Sequence, residues 1–482
     1  MNNNSEVEND TQTNVRNTFS DYIGSQLYLL GTVLVAAIAG FLYGYDTGII
    51  SGALMNIAHD FKLDAHQQEI ITSILLFGAV VGSLVCGRIS AFIGRRHMIM
   101  IVTAIFGVSV VAAGYAPSAF WLGVARLILG FAVGGSSQIV PVYIAELAPA
   151  NQRGRMVTFY NISIGLGILA AGMVGAFLQE EWTWRTMFSV AAIPAAVLLC
   201  SMMMLPESPR WLVRQERVEE ARDMLDSVRE TEGEVTKELR SIKRISNRTK
   251  EEAQDGWKAL TEPWVRPALI AGLGVAAFTQ LSGIEMMIYY TPTFLRDSGF
   301  TEQMAYYSAL GVAVIYVIMT TIGKLLVDHV GRRKLALMMM PLAALSLFAL
   351  GIAFNLPGGA SEHRWLILAC LFAFMIFNAG GIQVIGWLIG SEVYPLCIRA
   401  RATSLHAATL WGSNLILTST ALTMTGWLGI GGSMWFYGGL NAVGFVFVYF
   451  AVPETKGRSL EEIESSLKDG TFLPKKAEAV AE

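Results

Sequence analysis

The feature that most constrains this chain is its series of long apolar stretches. Twelve segments, at 27–50, 70–92, 97–116, 120–144, 155–178, 185–205, 266–290, 303–327, 334–354, 364–390, 401–424 and 431–452, are mostly apolar. Each has about 20 or more residues, the length that a helix needs to cross a bilayer. Hydrocarbon offers no partner for backbone N–H and C=O groups, so a spanning segment has to be helical or part of a closed barrel, and these lengths dictate helices. Composition agrees. The 482 residues are 53% hydrophobic and 15% charged, with a mean hydropathy of +0.48, whereas a soluble domain carries about a quarter charged residues.

Six spans precede and six follow a polar segment. The expected organisation is a tail at 1–26, a first bundle at 27–205, a linker at 206–265, a second bundle at 266–452 and a tail at 453–482. The linker shows helical periodicity in RVEEARDMLDSV, as short amphipathic helices beside a membrane would. Arg-rich loops at 94–97, 153–155, 332–334 and 399–401 fall on one side, and the loops His59–Gln68 and Glu180–Glu181 on the other lack such clusters. The positive-inside rule then places both termini and the linker in the cytoplasm, for a multi-pass protein of the inner (cytoplasmic) membrane. The polar N-terminus has no positive region before a short apolar core, so no cleavable signal is expected. A net charge of −3 gives no sign of nucleic acid binding, and no GxxxxGK[ST] phosphate loop occurs. The four cysteines, Cys86, Cys200, Cys370 and Cys397, lack ligand-like spacing and read as buried small hydrophobes. No metal and no cofactor are expected.

An internal repeat divides the chain. IGRR at 93–96 matches VGRR at 330–333, and ELAP with Arg153 matches EVYP with Arg399. PESPRW at 206–211 matches PETKGR at 453–458. An even number of spans per half keeps the halves parallel, one arrangement of an alternating-access secondary transporter. The expected fold class is therefore an all-α polytopic membrane protein, twelve transmembrane helices in two parallel-repeat six-helix bundles.

Three formal charges stand out inside the spans: Asp46 in the first, Arg126 in the fourth and Glu285 in the seventh. Charge at that depth is costly and marks a functional site by default. A buried carboxylate either pairs with a cation or takes a proton. Arg126 is the obvious partner for Asp46, since both lie in one half. A proton on Asp46 would weaken that pair and couple protonation to helix movement. The alternative is a permanent pair that only holds the half together.

These stretches carry a specific resemblance. GYDTGIISG (44–52), the two GRR loops, PVYIAELAP, PESPRWL, QLSGIEMMIYY, SEVYPLCIR and PETKGR resemble the sugar porter family of the major facilitator superfamily. That family includes bacterial proton-linked xylose, arabinose and inositol carriers and animal facilitative glucose carriers. The resemblance implies the major facilitator fold, no enzymatic chemistry, and a partner set of a sugar or small polyol, a proton and membrane lipid, with no nucleic acid and a monomeric state. It assigns Asp46 and Arg126 to proton coupling; facilitative members generally lack this Asp.

For substrate binding the resemblance implies Asn161, Gln280, Glu285, Tyr289, Gln383, Trp387, Trp411 and Asn414. Several positions depart from the family pattern. Asn161 replaces a Gln, Glu285 an Asn, and Thr279 and Leu410 stand where amides are frequent. Gln383-Val384 replaces Gly-Pro, which is expected to straighten that helix. Gln280, Glu285 and Tyr289 recur at five and four residues and are expected to share one helix face. The Glu285 carboxylate accepts bonds from hydroxyls where an amide both accepts and donates. Ordinary helix packing stays open for Glu285, Trp387 and Trp411. His406 reads more as packing than as a ligand.

In the Arg-rich loops the resemblance implies a gating network of Glu146, Arg153, Asp328, Arg332, Glu392 and Arg399. Glu146–Arg153 and Glu392–Arg399 are the expected pairs. The Asp usual in the first copy is Ala91, which weakens that half of the network. The two PE motifs are expected to stop helices. The best reading is proton-coupled symport of a monosaccharide or cyclitol (hexose, pentose or inositol) by alternating access. A facilitative uniporter and a proton-linked carrier of a small organic acid or amine remain as alternatives. A non-transporting sensor would need a longer tail than 453–482.

Overall fold

The computed structural model describes residues 20–149, 153–179, 181–229, 232–252, 258–395 and 397–474, and among these it contains helices and no strand. The first half comprises α1 (Ser20–Phe61), α2 (Ala65–Ile93), α3 (Arg95–Gly114), α4 (Ala119–Leu147), α5 (Arg153–Phe177), and α6 (Trp184–Ser189) with α7 (Ala192–Met204). Three further helices follow: α8 (Pro209–Arg214), α9 (Val218–Val228) and α10 (Glu232–Glu252). The second half comprises α11 (Arg266–Leu281), α12 (Ile284–Asp297), α13 (Glu302–Val330), α14 (Arg332–Phe354), α15 (Arg364–Gly380), α16 (Ile382–Glu392), α17 (Arg399–Thr418) and α18 (Ala421–Ala451). A last helix, α19, covers Leu460–Lys468.

Eleven segments of the described chain are long and apolar enough to cross a membrane. The exception among the twelve expected spans is α17, whose sequence RARATSLHAATLWGSNLILT is too polar to stand in lipid alone. It is walled by protein instead, against α2, α11 and α16, and His406, Asn414 and Thr418 are buried there. Polar residues at membrane depth are tolerated where they face the bundle interior.

Helix starts follow local chemistry. Asp64 and Gln67 form a reciprocal capping box at α2, Thr301 caps α13, and Ser208 caps α8 with Pro209 in its first turn. Two spans are interrupted. The seventh breaks between α11 and α12 at Gly283, and the tenth between α15 and α16 at Gly381. The first break places Gln280 on one helix and Glu285 and Tyr289 on the next, so the single shared face expected for them is not formed. Gln383-Val384 does not leave a continuous tenth helix either, because the interruption lies at Gly381, just before it. Of the cysteines expected to be buried, Cys86 is, Cys370 and Cys397 are half-buried, and Cys200 is exposed.

Within the first half, α1 packs on α5 and α2 on α4; in the second, α11 packs on α17 and α13 on α15. The halves meet where α2 lies against α17, α5 against α13 and α1 against α12. Bilayer helices associate through close backbone approach, since lipid supplies no hydrophobic drive between them. At Gly130 a Cβ would stand 1.8 Å from the Leu75 carbonyl oxygen, so the α2–α4 contact requires glycine there. Gly130→Ala is expected to destabilise the folded protein by about 1–3 kcal/mol, the usual cost of overpacking. Thermal unfolding of the purified protein in detergent checks this, with Gly123→Ala, which meets nothing within 4 Å, expected to leave the midpoint unchanged.

Candidate functional site

Arg126 and Asp46 are both buried, at 1% and 2% exposure, with Nη1 and Oδ1 3.9 Å apart. That is an ion-pair distance and too long for a hydrogen bond. Arg126 is held from other directions: its Nε donates to the Ile71 carbonyl at 2.8 Å, and its guanidinium lies 5.6 Å from the centre of the Phe188 ring. The same side chain thus ties α4 to α2 and α6 firmly and to α1 loosely. Neither Asp46 oxygen has a hydrogen-bond partner among the described residues. A buried carboxylate without donors is costly when ionised, whereas protonation removes the charge.

Three residues before Asp46 on α1, Tyr43 is the centre of an aromatic and polar cluster. Its ring lies 5.4 Å from that of Trp411, and Glu285, Tyr289, Tyr316 and Tyr160 lie near its hydroxyl. Trp411 Nε1 donates to Ser137 Oγ at 3.4 Å, a bond between the halves. Asn414 Oδ1 accepts from Thr418 at 2.9 Å. Glu285 Oε2, Gln280 Oε1 and Gln383 Oε1 are buried with no partner among the described residues. Below this cluster, between the halves, a cavity of about 260 Å³ is lined by Tyr43, Tyr160, Asn161, Tyr316, Gln383 and Trp387 among others. It runs toward the Arg-rich ends of the helices, past Pro141 and Ser391. Its size sits just below the roughly 300–1,000 Å³ usual for small-molecule sites.

The structure therefore brings Asn161, Gln383 and Trp387 to the cavity wall and sets Glu285, Tyr289 and Trp411 around Tyr43, behind it. Sequence reasoning missed Tyr43, Tyr160 and Tyr316, which as tyrosines in apolar spans look like packing residues. It also missed Lys324, a charge near the Arg-rich end of its span, which lines the cavity. His406 is a satisfied packing residue. Its Nε2 lies 2.7 Å from the Gly386 carbonyl, which must accept, and its Nδ1 lies 3.1 Å from the Tyr394 hydroxyl.

At the Arg-rich ends the two halves repeat one arrangement. Glu146 accepts from Arg95 Nε at 3.1 Å and from Ser208 Oγ at 2.5 Å. Glu392 accepts from Arg332 Nη2 at 2.8 Å and from Thr455 Oγ1 at 2.6 Å. The expected Glu392–Arg399 pair is not formed; Arg399 donates to the Tyr394 carbonyl at 3.1 and 3.0 Å. Glu146 is engaged by Arg95, and the Arg153 side chain expected beside it lies outside the described residues. The reason is the turn at Gly94 and Gly331, where φ of 99° and 104° swings the next arginine in front of the glutamate. The PE motifs complete the turn rather than merely ending helices. Glu207 accepts from the Arg95 and Arg96 N–H groups, and Glu454 from that of Arg332, so each carboxylate caps the N-terminus of a spanning helix. Asp328 adds a 2.9 Å bridge to Arg332 that Ala91 cannot supply to Arg95.

At the opposite ends the halves are locked to each other. Glu69 is fully buried and accepts from the Thr423 N–H and from its hydroxyl, both at 2.6 Å. The loop read from the sequence ends at Gln68 and the span begins at residue 70, so Glu69 falls between them. With this end latched and the cavity running to the other, the protein is in a one-side-closed state.

A cavity between two repeated six-span bundles, latched at one end, defines a secondary transporter of the major facilitator fold. The model of the family described as "Sugar (and other) transporter" matches residues 32–467, and the chain belongs to that family, one of transporters and not of enzymes. It is 34% identical over 453 residues to the major myo-inositol transporter IolT of Bacillus subtilis (strain 168), covering 92% of this chain and 96% of that protein. It is 34% identical over 437 residues to a D-xylose transporter of Levilactobacillus brevis, covering 90% and 95%. Among solved structures, the proton:xylose symporter XylE bound to 6-bromo-6-deoxy-D-glucose superposes with a TM-score of 0.77 at 27% identity, over 92% of this chain and 99% of that one.

Removing the latch is expected to open that end. Hydrogen bonds to a charged group are worth about 1.5–3 kcal/mol each, so Glu69→Ala is expected to raise the open-to-closed ratio there by roughly tenfold or more. Spin labels at the exposed positions Lys62 and Gly426, one on each half, are expected to report a longer separation in Glu69→Ala. An unchanged distance distribution would contradict the latch.

Proposed function

We propose that this chain is a proton-coupled symporter of a monosaccharide or cyclitol, working by alternating access in the inner (cytoplasmic) membrane. The observation that carries the reading is the buried Asp46–Arg126 pair, held at 3.9 Å with no hydrogen-bond donor on the carboxylate among the described residues. A proton on Asp46 cancels its attraction for Arg126. Arg126 stays anchored to Ile71 and Phe188, so the link that weakens is the one to α1. Helix α1 carries Tyr43 into the substrate cluster and packs on α12 of the other half. Protonation is thereby felt where the halves meet.

Asn161, Gln383 and Trp387 bind substrate from the cavity wall: the amides bond hydroxyls, and the indole packs on the apolar face of a ring. Gln280, Glu285, Tyr289, Trp411 and Asn414 close over it from the Tyr43 side. Glu146, Arg95, Ser208 and their repeats Glu392, Arg332 and Thr455 keep the mouth of each half in shape, with Asp328 and Arg399 flanking them. The Arg-rich ends and both termini are cytoplasmic by the positive-inside rule, which makes the described state inward-facing. One chain encloses a whole cavity between its own halves, which supports a monomeric transporter.

The test is solute-driven proton movement in proteoliposomes of the purified protein, with glucose, galactose, xylose, arabinose and myo-inositol as solutes. A neutral solute is expected to drive proton entry in wild type. Asp46→Asn is expected to abolish proton entry while keeping solute counterflow. Solute flux without proton movement in wild type would make the protein a uniporter and the pair structural.

A further inference from the structure

We propose that the cavity is built for a carboxylated sugar, a uronate- or aldonate-like hydroxy acid, with its carboxylate on Lys324. The proposal rests on the transport reading above and names the substrate class of that same site. Among the described residues lining the cavity, Lys324 is the one with a formal charge; the Glu285 carboxylate stands behind Tyr43 and is not part of the lining. The nearest acid along its helix, Asp328, is one turn on and is bridged to Arg332 at 2.9 Å. Among the described residues Lys324 takes part in no ion pair. The ammonium is half-buried in the wall of α13, between the halves and not in lipid.

The groups around it suit hydroxyls. Tyr316, Thr320 and Lys324 recur at four-residue intervals and line the same cavity, as residues on one helix face do. Gln383 Oε1 and the Tyr160 hydroxyl are buried without a partner among the described residues. Asn161 and Trp387 stand on the wall as well. A polyhydroxylated body bearing one carboxylate satisfies both parts of this surface, the amides and hydroxyls along its body and the ammonium at its end.

When the Arg-rich end closes, α5 and α4 approach α13, and water leaves the cavity. A neutral sugar would then leave a bare ammonium in a dry space, which is expensive. A carboxylate would enclose the charge as an ion pair. An anion moving with one proton also carries no net charge, so its transport would not depend on the membrane potential.

The experiment is counterflow in proteoliposomes of the full-length protein, with D-glucuronate against D-glucose and D-galacturonate against D-galactose, each labelled. In wild type the carboxylated member is expected to half-saturate at about one tenth or less of its neutral parent's concentration, the value of one charge-assisted bond. Lys324→Met is expected to bring that ratio to about one, and Lys324→Arg to keep the preference within roughly threefold, since Arg retains the charge. The wild-type ratio stands even if the Met variant does not fold. Exchange of a neutral sugar with no preference for its carboxylated partner would overturn this proposal and leave the symporter reading intact. A preference that survives Lys324→Met would overturn the assignment to Lys324. If neither class exchanges, the transport reading falls and this proposal with it.

Discussion

Arg126 is almost fully removed from water in a helix that crosses the bilayer, and much of the first half is arranged around keeping it there. A guanidinium presents five donors and cannot be neutralised by losing a proton. Its charge has to be met by the protein. The Ile71 carbonyl, the face of Phe188 and the Asp46 carboxylate meet it from three different helices. Two of these contacts do not depend on protonation. The third does, and it is the loosest. On the proposed reading, a proton arriving at Asp46 would loosen α1 from α4 without releasing Arg126 from the bundle.

That arrangement matters because the halves are otherwise built as stiff units. At the Arg-rich ends the charged groups pair within a half, through Arg95–Glu146–Ser208 and Arg332–Glu392–Thr455. Each glutamate of the PE motifs caps a helix of its own half. Contacts between the halves among the described residues include the Glu69–Thr423 latch, the Trp411–Ser137 bond, the Tyr43–Trp411 ring contact and packing of α2 on α17, α5 on α13 and α1 on α12. Two rigid bundles joined by a few polar contacts can rock about a central site, and a bias of a few kcal/mol decides which end is open.

Much of this was legible in the sequence, since hydrocarbon leaves so few choices. Span length dictated helices, the repeat gave two parallel halves, and buried charge pointed to Asp46 and Arg126. The stretch 401–424 reads as one more apolar span, but α17 there is more polar than its neighbours and stands at membrane depth because α2, α11 and α16 wall it. What was not legible depended on where side chains point. Glu392 and Arg399 are seven residues apart with a turn between them, and that turn sends Arg399 to a carbonyl while Gly331 delivers Arg332. Gln280 and Glu285 fit one helix on paper, but the break at Gly283 separates them. Glu69 sits one residue before the apolar run that was read as a span. Lys324 lies within a span, and only the cavity shows that it faces the interior.

The central claim is that Asp46 takes up the proton that accompanies substrate. Calorimetric titration of the transported solute into detergent-solubilised protein, run in two buffers of different ionisation enthalpy, counts that proton directly. Wild type is predicted to take up protons as solute binds, and Asp46→Asn to bind solute with no uptake. Equal uptake in both proteins would place the coupling proton on another group and contradict the account.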